Sequence, residues 1–381
     1  MKIVYLITRS DAIGGACVHV RDLAFALRGL GHDATVLVGG AGPFTNHLTA
    51  CGVPCVSITH LVRSFSPKRD FCALFNIVSV LRTLQPDLVC THTAKAGWLG
   101  RVACAMLRIP VTFTAHGWSI GDRISCNRGY VYCFAEKFAA MFTHLIINVC
   151  ESERDLALSR GVANAKKHVV VYNGIPDLPL ELLADQVCHQ PPRIVMTARM
   201  EHPKDHFTLL QALAGLRNYD WTLDLIGDGP LREAIHNGAE QLQLLPRIKF
   251  LGQITNVDEY LRRAQIFILC SRSEGLPLSI LEAMRSGLPV IASDVGGIRE
   301  AVLHGETGFV IQRSDKAAVQ HALQLLVTTP ELRVRMGQAG RQRYQDRFTF
   351  DQMLARTLEA YAEALCGFII PRQTLGPATG H

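Results

Sequence analysis

Residues 273–284 have the sequence SEGLPLSILEAM, in which Glu274 and Glu282 stand on either side of a glycine and a proline. The pattern predicts a loop followed by a helix. Pro277 suits the first helical position, where a missing N–H costs nothing, and Leu278 follows it. Glu274 then lies in the loop and Glu282 in the helix. The backbone amides after Pro277 are free to bind an anion at the helix N-terminus.

Glu282 lies in an apolar stretch, residues 280–284 (ILEAM). Burying an unpaired carboxylate costs on the order of several kcal/mol, so a hydrogen-bonding partner is expected, and a sugar or ribose hydroxyl would serve. The alternative is that Glu282 pairs with Arg285 on the helix surface and that Glu274 is a solvated loop residue. The spacing alone does not separate these two interpretations.

The segments on either side favour a ligand site. An apolar strand is predicted before the loop, at 266–270 (IFILC), and another after the helix, at 288–292 (LPVIA). Strand, loop, helix and strand in this order form a βαβ unit. In open α/β sheets, ligands bind outside the carboxyl ends of the strands, which is where Glu274 falls.

The same alternation runs through all 381 residues, a length that favours more than one domain. It predicts an α/β fold class with two doubly wound domains, at residues 1–175 and 190–345, then a C-terminal helix at 346–367 and a tail at 368–381. Turn-forming residues between 173 and 192 mark the linker. The predicted strands are residues 3–7, 34–38, 88–90, 111–114, 145–149 and 169–171, then 193–197, 222–226, 248–251, 266–269 and 290–292.

Composition favours a folded protein in a reducing cytoplasm. Hydrophobic residues make up 48% of the chain and charged residues 19%, and no apolar run reaches the roughly 18 residues that span a bilayer. The N-terminal residues do not resemble a signal peptide. The 12 cysteines are scattered, mostly in apolar segments.

Metal binding is not expected from the sequence. The group with metal-like spacing is His47, Cys51, Cys55 and His60. Its spacing matches no standard zinc pattern, and a glycine and a proline interrupt it.

Positive charge is concentrated in the first half: residues 1–178 contain 18 Lys and Arg against 11 Asp and Glu, and the remainder contains 21 against 22. An anionic membrane, an anionic acceptor or an ordinary solvated surface would each account for this. Nucleic acid is not expected, because the basic residues are not interleaved with aromatic ones.

One predicted helix, residues 70–84, has an apolar face preceded by basic residues. We expect this face to pack on the sheet, with the basic residues free to contact lipid. The face consists of Phe71, Leu74, Phe75, Val78 and Leu81, and the basic residues are Arg63, Lys68 and Arg69.

Two further loops carry candidate anion-binding residues. Gly14 and Gly15 follow the first strand and precede a helix, although their spacing is not that of a dinucleotide-binding motif and a plain tight turn is the alternative. Arg199 and Lys204 follow the first strand of the second domain, where two cations suit a diphosphate. Surface charge is the alternative for these two.

Histidines end two strands of the first domain. His116 follows one strand and is expected to face a ligand, with a structural role as the alternative. His92 ends another, followed by Lys95 and Arg101. These three residues would line an acceptor site or solvate helix ends.

Together these residues resemble the family 4 retaining glycosyltransferases of the GT-B fold. The resemblance covers nearly the whole chain, and the order and spacing of the motifs carry it. The matching positions are Gly14-Gly15, His116-Gly117, Asn173-Gly174-Ile175, Arg199 with Lys204, Gly227-Asp228-Gly229-Pro230, Glu274 with Glu282, Gly296-Gly297 and Glu306-Thr307-Gly308.

The resemblance implies two Rossmann-like domains facing across a cleft, with a nucleotide-sugar bound to the second and an acceptor to the first. Arg199 and Lys204 would bind the diphosphate, Glu282 the ribose and Glu274 the donor sugar. The loop residues Gly275, Leu276 and Leu278 would also belong to the donor site, and Gly14, Gly15 and His116 would complete it.

The stretch at 91–97 (THTAKAG) is similar to members that build bacterial surface polysaccharides on lipid carriers. The chain contains no Asp-x-Asp pair, so no metal is expected. Two alternatives remain open, a nucleotide-sugar epimerase and a non-catalytic protein that binds nucleotide-sugars.

Overall fold

The computed structural model describes residues 1–120, 126–184 and 191–373. It divides the chain into two compact units, the first comprising residues 1–171 with the C-terminal segment from Leu354, and the second residues 172–353. Each unit contains a parallel sheet with helices between successive strands. The predicted fold class of two doubly wound domains is therefore confirmed.

The sheet of the first unit has the strand order β3-β2-β1-β4-β5-β6-β7, and all neighbouring strands are parallel. Parallel strands covered on both faces favour continuous apolar runs, and residues 3–7 of the central β1 are all buried. The strands are β1 (Lys2–Ile7), β2 (Asp33–Val38), β3 (Cys55–Ser57), β4 (Leu88–His92), β5 (Val111–Ala115), β6 (Leu145–Asn148) and β7 (His168–Val170).

Helices connect these strands and cover the sheet. The helices are α1 (Gly15–Gly29), α2 (Pro43–Ala50), α3 (Pro67–Leu84), α4 (Ala94–Leu107), α5 (Cys126–Ala140) and α6 (Glu151–Ser159), with a 3-10 turn at Ala165–Lys167. α3 and α4 pack together over β1, β4 and β5, and α5 packs beside α4. These three helices form one layer.

The C-terminal helix differs from its prediction. The structure has α14 at Phe350–Gln373, where a helix at 346–367 and a tail from 368 were expected, and residues 374–381 lie outside the described range. From Leu354 onward this helix belongs to the first unit, in which the buried hydroxyls of Tyr361 and Tyr5 lie 3.2 Å apart. Periodicity identifies a helix but not the sheet on which it packs.

The second unit has the strand order β10-β9-β8-β11-β12-β13, again all parallel. Its strands are β8 (Arg193–Thr197), β9 (Thr222–Ile226), β10 (Ile248–Gly252), β11 (Ile266–Leu269), β12 (Val290–Ser293) and β13 (Gly308–Ile311). Its helices are α7 (His206–Ala214), α8 (Arg232–Gln241), α9 (Val257–Arg262), α10 (Leu278–Arg285), α11 (Ile298–Ala301), α12 (Lys316–Thr328) and α13 (Pro330–Arg347), with 3-10 turns at Leu180–Leu182 and Leu245–Arg247.

Three local predictions need correction. The strands β3 and β13 were not predicted, because three or four residues give too little alternation to recognise. Pro277 is the N-cap of α10, and Leu278 is the first helical residue. The apolar face of α3 is centred on Ala73, Ile77 and Leu81, which leaves Phe71 and Phe75 exposed.

None of the helices in the described ranges combines the length and apolar character needed to cross a bilayer.

Candidate active site

Lys204 and Glu274 meet at the carboxyl edge of the second sheet. Lys204 follows β8 and Glu274 follows β11, and these strands are neighbours. The Nζ of Lys204 lies 2.5 Å from Oε1 of Glu274, and the two side chains are only 16% and 11% exposed. The two residues are 70 positions apart in the sequence, and they meet because β8 and β11 are neighbouring strands. This is the arrangement predicted for ligand-binding residues of open α/β sheets.

Backbone hydrogen bonds join the two loops beside this pair. The amide of Asp205 donates to the carbonyl of Cys270 at 2.9 Å, and the amide of Arg272 donates to the carbonyl of Pro203 at 2.9 Å. These bonds form an isolated antiparallel bridge between Lys204 and Ser271. They hold the loop of Lys204 against the loop of Glu274 independently of the side-chain ion pair.

Two glycine turns support the loops from the other side. Gly296 has φ +56°, and a Cβ there would lie 2.0 Å from the carbonyl oxygen of Glu274. Gly227 has φ +130°, and a Cβ there would lie 2.1 Å from the carbonyl oxygen of Ala198, directly before Arg199. Only glycine allows this backbone conformation and this close approach together.

Asn173 positions the Glu274 loop and was missed as a site residue. Its buried Nδ2 donates to the carbonyl of Leu276 at 2.7 Å. From the sequence, Asn173 was interpreted as a turn-forming residue of the linker. Its contact with a loop 103 residues later could not be inferred from that pattern.

Asp205 and His206 set the charge around Lys204. Burial raises the pKa of Asp205, but hydrogen bonds from Thr208, Ser314 and Arg272 outweigh this and lower it overall. Burial, and then the charge of Lys204, lower the pKa of His206 to about 4. His206 is therefore neutral near pH 7, and Lys204 and Asp205 are the charged groups in this short segment.

The remaining predicted donor residues belong to the same unit. Arg199 lies in the loop after β8, 41% exposed, with its guanidinium 2.5 Å from Glu201. Glu282 is half-buried on α10. Arg285, its predicted alternative partner, contacts Asp258 and donates to the carbonyl of Pro176 at 2.9 Å.

The loop before α10 is closely packed. Gly275, Leu276 and Leu278 are buried there. The amide of Gly297 donates to the carbonyl of Gly275 at 2.8 Å, which fixes the loop directly after Glu274.

Three histidines of the first unit form a cluster. His19 lies on α1, His92 ends β4 and His116 follows β5, and one ring nitrogen from each lies within 4.8 Å of the others. Nδ1 of His92 is 2.9 Å from Nε2 of His116. Burial, followed by the charges of the neighbouring histidines, lowers the pKa of His92 and of His116 well below the usual value. Both rings are therefore neutral near pH 7.

The tautomers of His92 and His116 follow from the buried Nε2 of His92, which has no hydrogen-bond partner among the described residues. An unpaired buried acceptor costs less than an unpaired buried N–H, so the proton of His92 lies on Nδ1 and is donated to Nε2 of His116. Neutral His116 then carries its own proton on Nδ1.

The other candidate residues of the first unit lie at the start of α1 and on α4. Gly14 is the N-cap of α1, and Gly15 is its first residue, with open space beside Gly14. Lys95 pairs with Asp70 at 2.7 Å and Arg101 with Glu136 at 2.6 Å, and these two basic side chains are buried. They are not solvated at helix ends, so that alternative was wrong, and their place in an acceptor site stays a prediction.

In the part of the chain that the structure describes, His19, His92 and His116 are the group whose ligand atoms lie close enough together to hold a metal ion. The His47 group considered from the sequence does not meet this criterion. Nε2 of His47 instead lies 2.6 Å from a guanidinium nitrogen of Arg21.

Family models match both halves of the chain: "Glycosyltransferase Family 4" at residues 13–177 and "Glycosyl transferases group 1" at residues 185–343. N-acetyl-alpha-D-glucosaminyl L-malate synthase of Bacillus anthracis is 32% identical over 387 residues, 96% of this chain and 98% of that protein. The chain is a family 4 glycosyltransferase.

Other similar proteins agree with this family 4 assignment. The UDP-Gal:alpha-D-GlcNAc-diphosphoundecaprenol alpha-1,3-galactosyltransferase of Escherichia coli is 26% identical over 306 residues, covering 76% of this chain and 79% of that protein. The crystal structure of Anabaena HepE in complex with UDP and glucose has a TM-score of 0.82 at 22% identity, covering 95% of this chain and 99% of that one. The likeness to HepE shows the GT-B fold of this family 4 enzyme.

Proposed function

We propose that this glycosyltransferase moves a sugar from a UDP-sugar to a lipid-linked saccharide acceptor, with retention of the anomeric configuration, in the synthesis of a surface polysaccharide. The observation that carries the proposal is the contact of Lys204 with Glu274 at the carboxyl edge of the second sheet. This contact supports the proposal because Lys204 would serve as a cation for a diphosphate and Glu274 as an acceptor for sugar hydroxyls.

The charged groups of the second unit match the two ends of such a donor. Arg199 and Lys204 would bind the diphosphate, together with the free amides at the start of α10. Glu274 would accept hydrogen bonds from the sugar hydroxyls and Glu282 from the ribose. Lys204 and Arg199 each contact a carboxylate, which would hold the two cations in position to bind the diphosphate.

In the transfer step, an acceptor hydroxyl oxygen bonds to the anomeric carbon while the bond from that carbon to the diphosphate oxygen breaks. The electron pair of the broken bond goes to the diphosphate, which also takes the acceptor proton on the same face of the sugar. Fixed cations and helix-end amides stabilise the growing negative charge without a metal ion. His116 would donate its Nδ1–H to a hydroxyl oxygen of the substrate.

The acceptor and the donor base are supported by the relatives. The Escherichia coli relative is named for a UDP-Gal donor and a diphosphoundecaprenol-linked acceptor. Another Escherichia coli relative, 25% identical over 307 residues, is named an O-antigen biosynthesis glycosyltransferase. A basic first unit suits an acceptor that carries a diphosphate and lies at an anionic membrane.

The first experiment is a thermal-shift panel of UDP- and GDP-sugars, because a ligand that binds only the folded protein raises its melting temperature. Stabilisation by one UDP-sugar supports the donor site. Release of UDP that requires a lipid-linked saccharide, with retained configuration in the product by NMR, supports the transfer. Conversion of the sugar without any acceptor would instead indicate an epimerase.

Metal independence is tested in the same assay. UDP release should be unchanged by EDTA. A loss that added metal restores would contradict the metal-free mechanism and would point to the histidine cluster.

A further inference from the structure

The layer formed by α3, α4 and α5 exposes an unusual number of aromatic side chains. Tyr130, Phe134 and Phe138 recur every fourth residue along α5 and are 75%, 74% and 48% exposed. Four-residue spacing places them on one face of the helix. Phe71 is 64% exposed near the start of α3, and Phe65 is 79% exposed just before it. We call these five side chains and Phe75 the aromatic surface.

Within α3, α4, α5 and the segment before α3, the charged side chains that are described as exposed are all basic. Residues 63–84 and 126–141 contain six Lys and Arg against two Asp and Glu. The two acids, Asp70 and Glu136, are paired with the buried Lys95 and Arg101 of α4. The acids thus neutralise interior cations. The exposed charges of these two segments, Arg63, Lys68, Arg69, Arg82 and Lys137, are all basic.

The position of the layer relates it to the histidine cluster. α4 follows β4, which ends at His92, and α5 follows β5, beyond which His116 lies. The N-terminal halves of these helices therefore lie at the same carboxyl edge as the histidines. Lys68, Arg69 and Phe71 occupy the corresponding end of α3.

Exposed aromatic rings beside exposed basic side chains suit one partner, the surface of an anionic phospholipid bilayer. Aromatic rings are enriched at the boundary between headgroups and acyl chains. Each Lys or Arg near an anionic membrane adds electrostatic attraction to the lipid headgroups. We infer that the aromatic surface docks this enzyme on an anionic membrane, with Tyr130 and Phe134 entering the headgroup region and Lys68 and Arg69 contacting lipid phosphates.

Docking in this orientation would bring the histidine edge of the first unit to a lipid-linked acceptor, and only this consequence rests on the proposed function. Binding to lipid rests on the surface residues themselves. The two can therefore be tested separately.

The test is cosedimentation of the full chain, without substrate, with vesicles of phosphatidylglycerol and phosphatidylcholine in equal parts or of phosphatidylcholine alone. The wild type should bind the anionic vesicles more tightly and lose binding as salt is added. Phe134→Ser should weaken binding about tenfold, and Lys68→Gln about fivefold.

Matched controls lie in the second unit. Phe207→Ser removes a 40% exposed aromatic ring, and Arg335→Gln removes an exposed cation. Neither should change vesicle binding. All four variants should keep the wild-type melting temperature and the wild-type thermal shift with the donor, so a failure of lipid binding is distinguished from a failure of the donor site.

Equal binding by Phe134→Ser, Lys68→Gln and the wild type would overturn the inference, as would no preference for anionic vesicles. Self-association that Phe134→Ser abolishes, without vesicle binding by the wild type, would assign the surface to a second copy of the chain and would also overturn it.

Discussion

The ammonium of Lys204 and the carboxylate of Glu274 are in direct contact, 2.5 Å apart, although each was assigned a different part of the donor. A diphosphate and a sugar hydroxyl would each compete with this ion pair. Under the proposed function, donor binding would exchange one set of charge-assisted hydrogen bonds for another, and both side chains are already largely buried.

Lys204→Ala and Glu274→Ala should each reduce kcat/KM for transfer by at least about a hundredfold. The first removes a cation that would stabilise the growing negative charge, and the second removes an acceptor that would orient the sugar hydroxyls. Both variants should remain folded, since backbone hydrogen bonds join the two loops independently of the side chains. Rates of UDP release and far-UV circular dichroism check the two statements.

A matched control for this pair is Lys249→Ala, which removes an exposed lysine of β10 and should leave the rate unchanged.

The double variant Lys204→Met with Glu274→Gln separates the contribution of the ion pair to stability from its contribution to transfer. Removing both charges should cost less stability than removing one, since no uncompensated charge remains, yet transfer should stay lost. Full activity in either single variant would remove that residue from the site.

Gly296→Ala should impair both stability and transfer. The new Cβ would meet the carbonyl of Glu274 at 2.0 Å, and the residue would also be held at φ +56°. We expect a destabilisation of more than about 2 kcal/mol and a transfer rate lowered at least about tenfold, because the backbone of Glu274 must move. Urea unfolding and UDP release measure the two effects.

Gly305→Ala isolates the contribution of the backbone conformation. Gly305 has φ +80°, but a Cβ there meets nothing within 4 Å. This variant should lose only about 1 kcal/mol and should keep its activity. If the two variants behaved alike, the contact with Glu274 would not be the reason that position 296 requires glycine.

Local patterns in the sequence predicted the fold class and most strands, because buried parallel strands are continuous apolar runs. They also placed Arg199, Lys204 and Glu274 at strand ends, and strand order then brought Lys204 to Glu274. Contacts that depend on tertiary packing were not predictable in this way. The bond from Asn173 to Leu276 joins residues 103 positions apart and leaves no local signal.

The division of the chain failed for the same reason. The helix that begins at Phe350 has clear periodicity. Its packing against the first sheet through Tyr361 and Tyr5 depends on the chain returning to the first unit after the second, which periodicity does not reveal. Likewise, the apolar residues of α3 suggested one buried face. The faces of a helix follow from its neighbours, and α4 covers the side with Ala73 and Ile77, leaving Phe71 to solvent.

The buried pair His92 and His116 should make stability depend on pH. In the unfolded chain each histidine has a pKa of about 6.5. Burial lowers the pKa of both histidines in the folded protein. Below about pH 6.5 the unfolded state therefore binds more protons than the folded state. The free energy of unfolding should fall as the pH is lowered through this window, by up to about 1.4 kcal/mol per pH unit for each histidine.

His92→Asn should flatten this dependence, because it removes one titrating ring while the side-chain amide can still donate to His116 from near the position of Nδ1. The measurement is urea unfolding at about pH 7 and about pH 5, with His321→Asn, an exposed histidine, as the control that should keep the wild-type slope. Transfer at neutral pH should survive better in His92→Asn than in His92→Ala, which cannot orient His116. Equal activity in the two variants would show that the donated hydrogen bond does not position His116, and an unchanged pH slope in His92→Asn would show that the ring is not held neutral by burial.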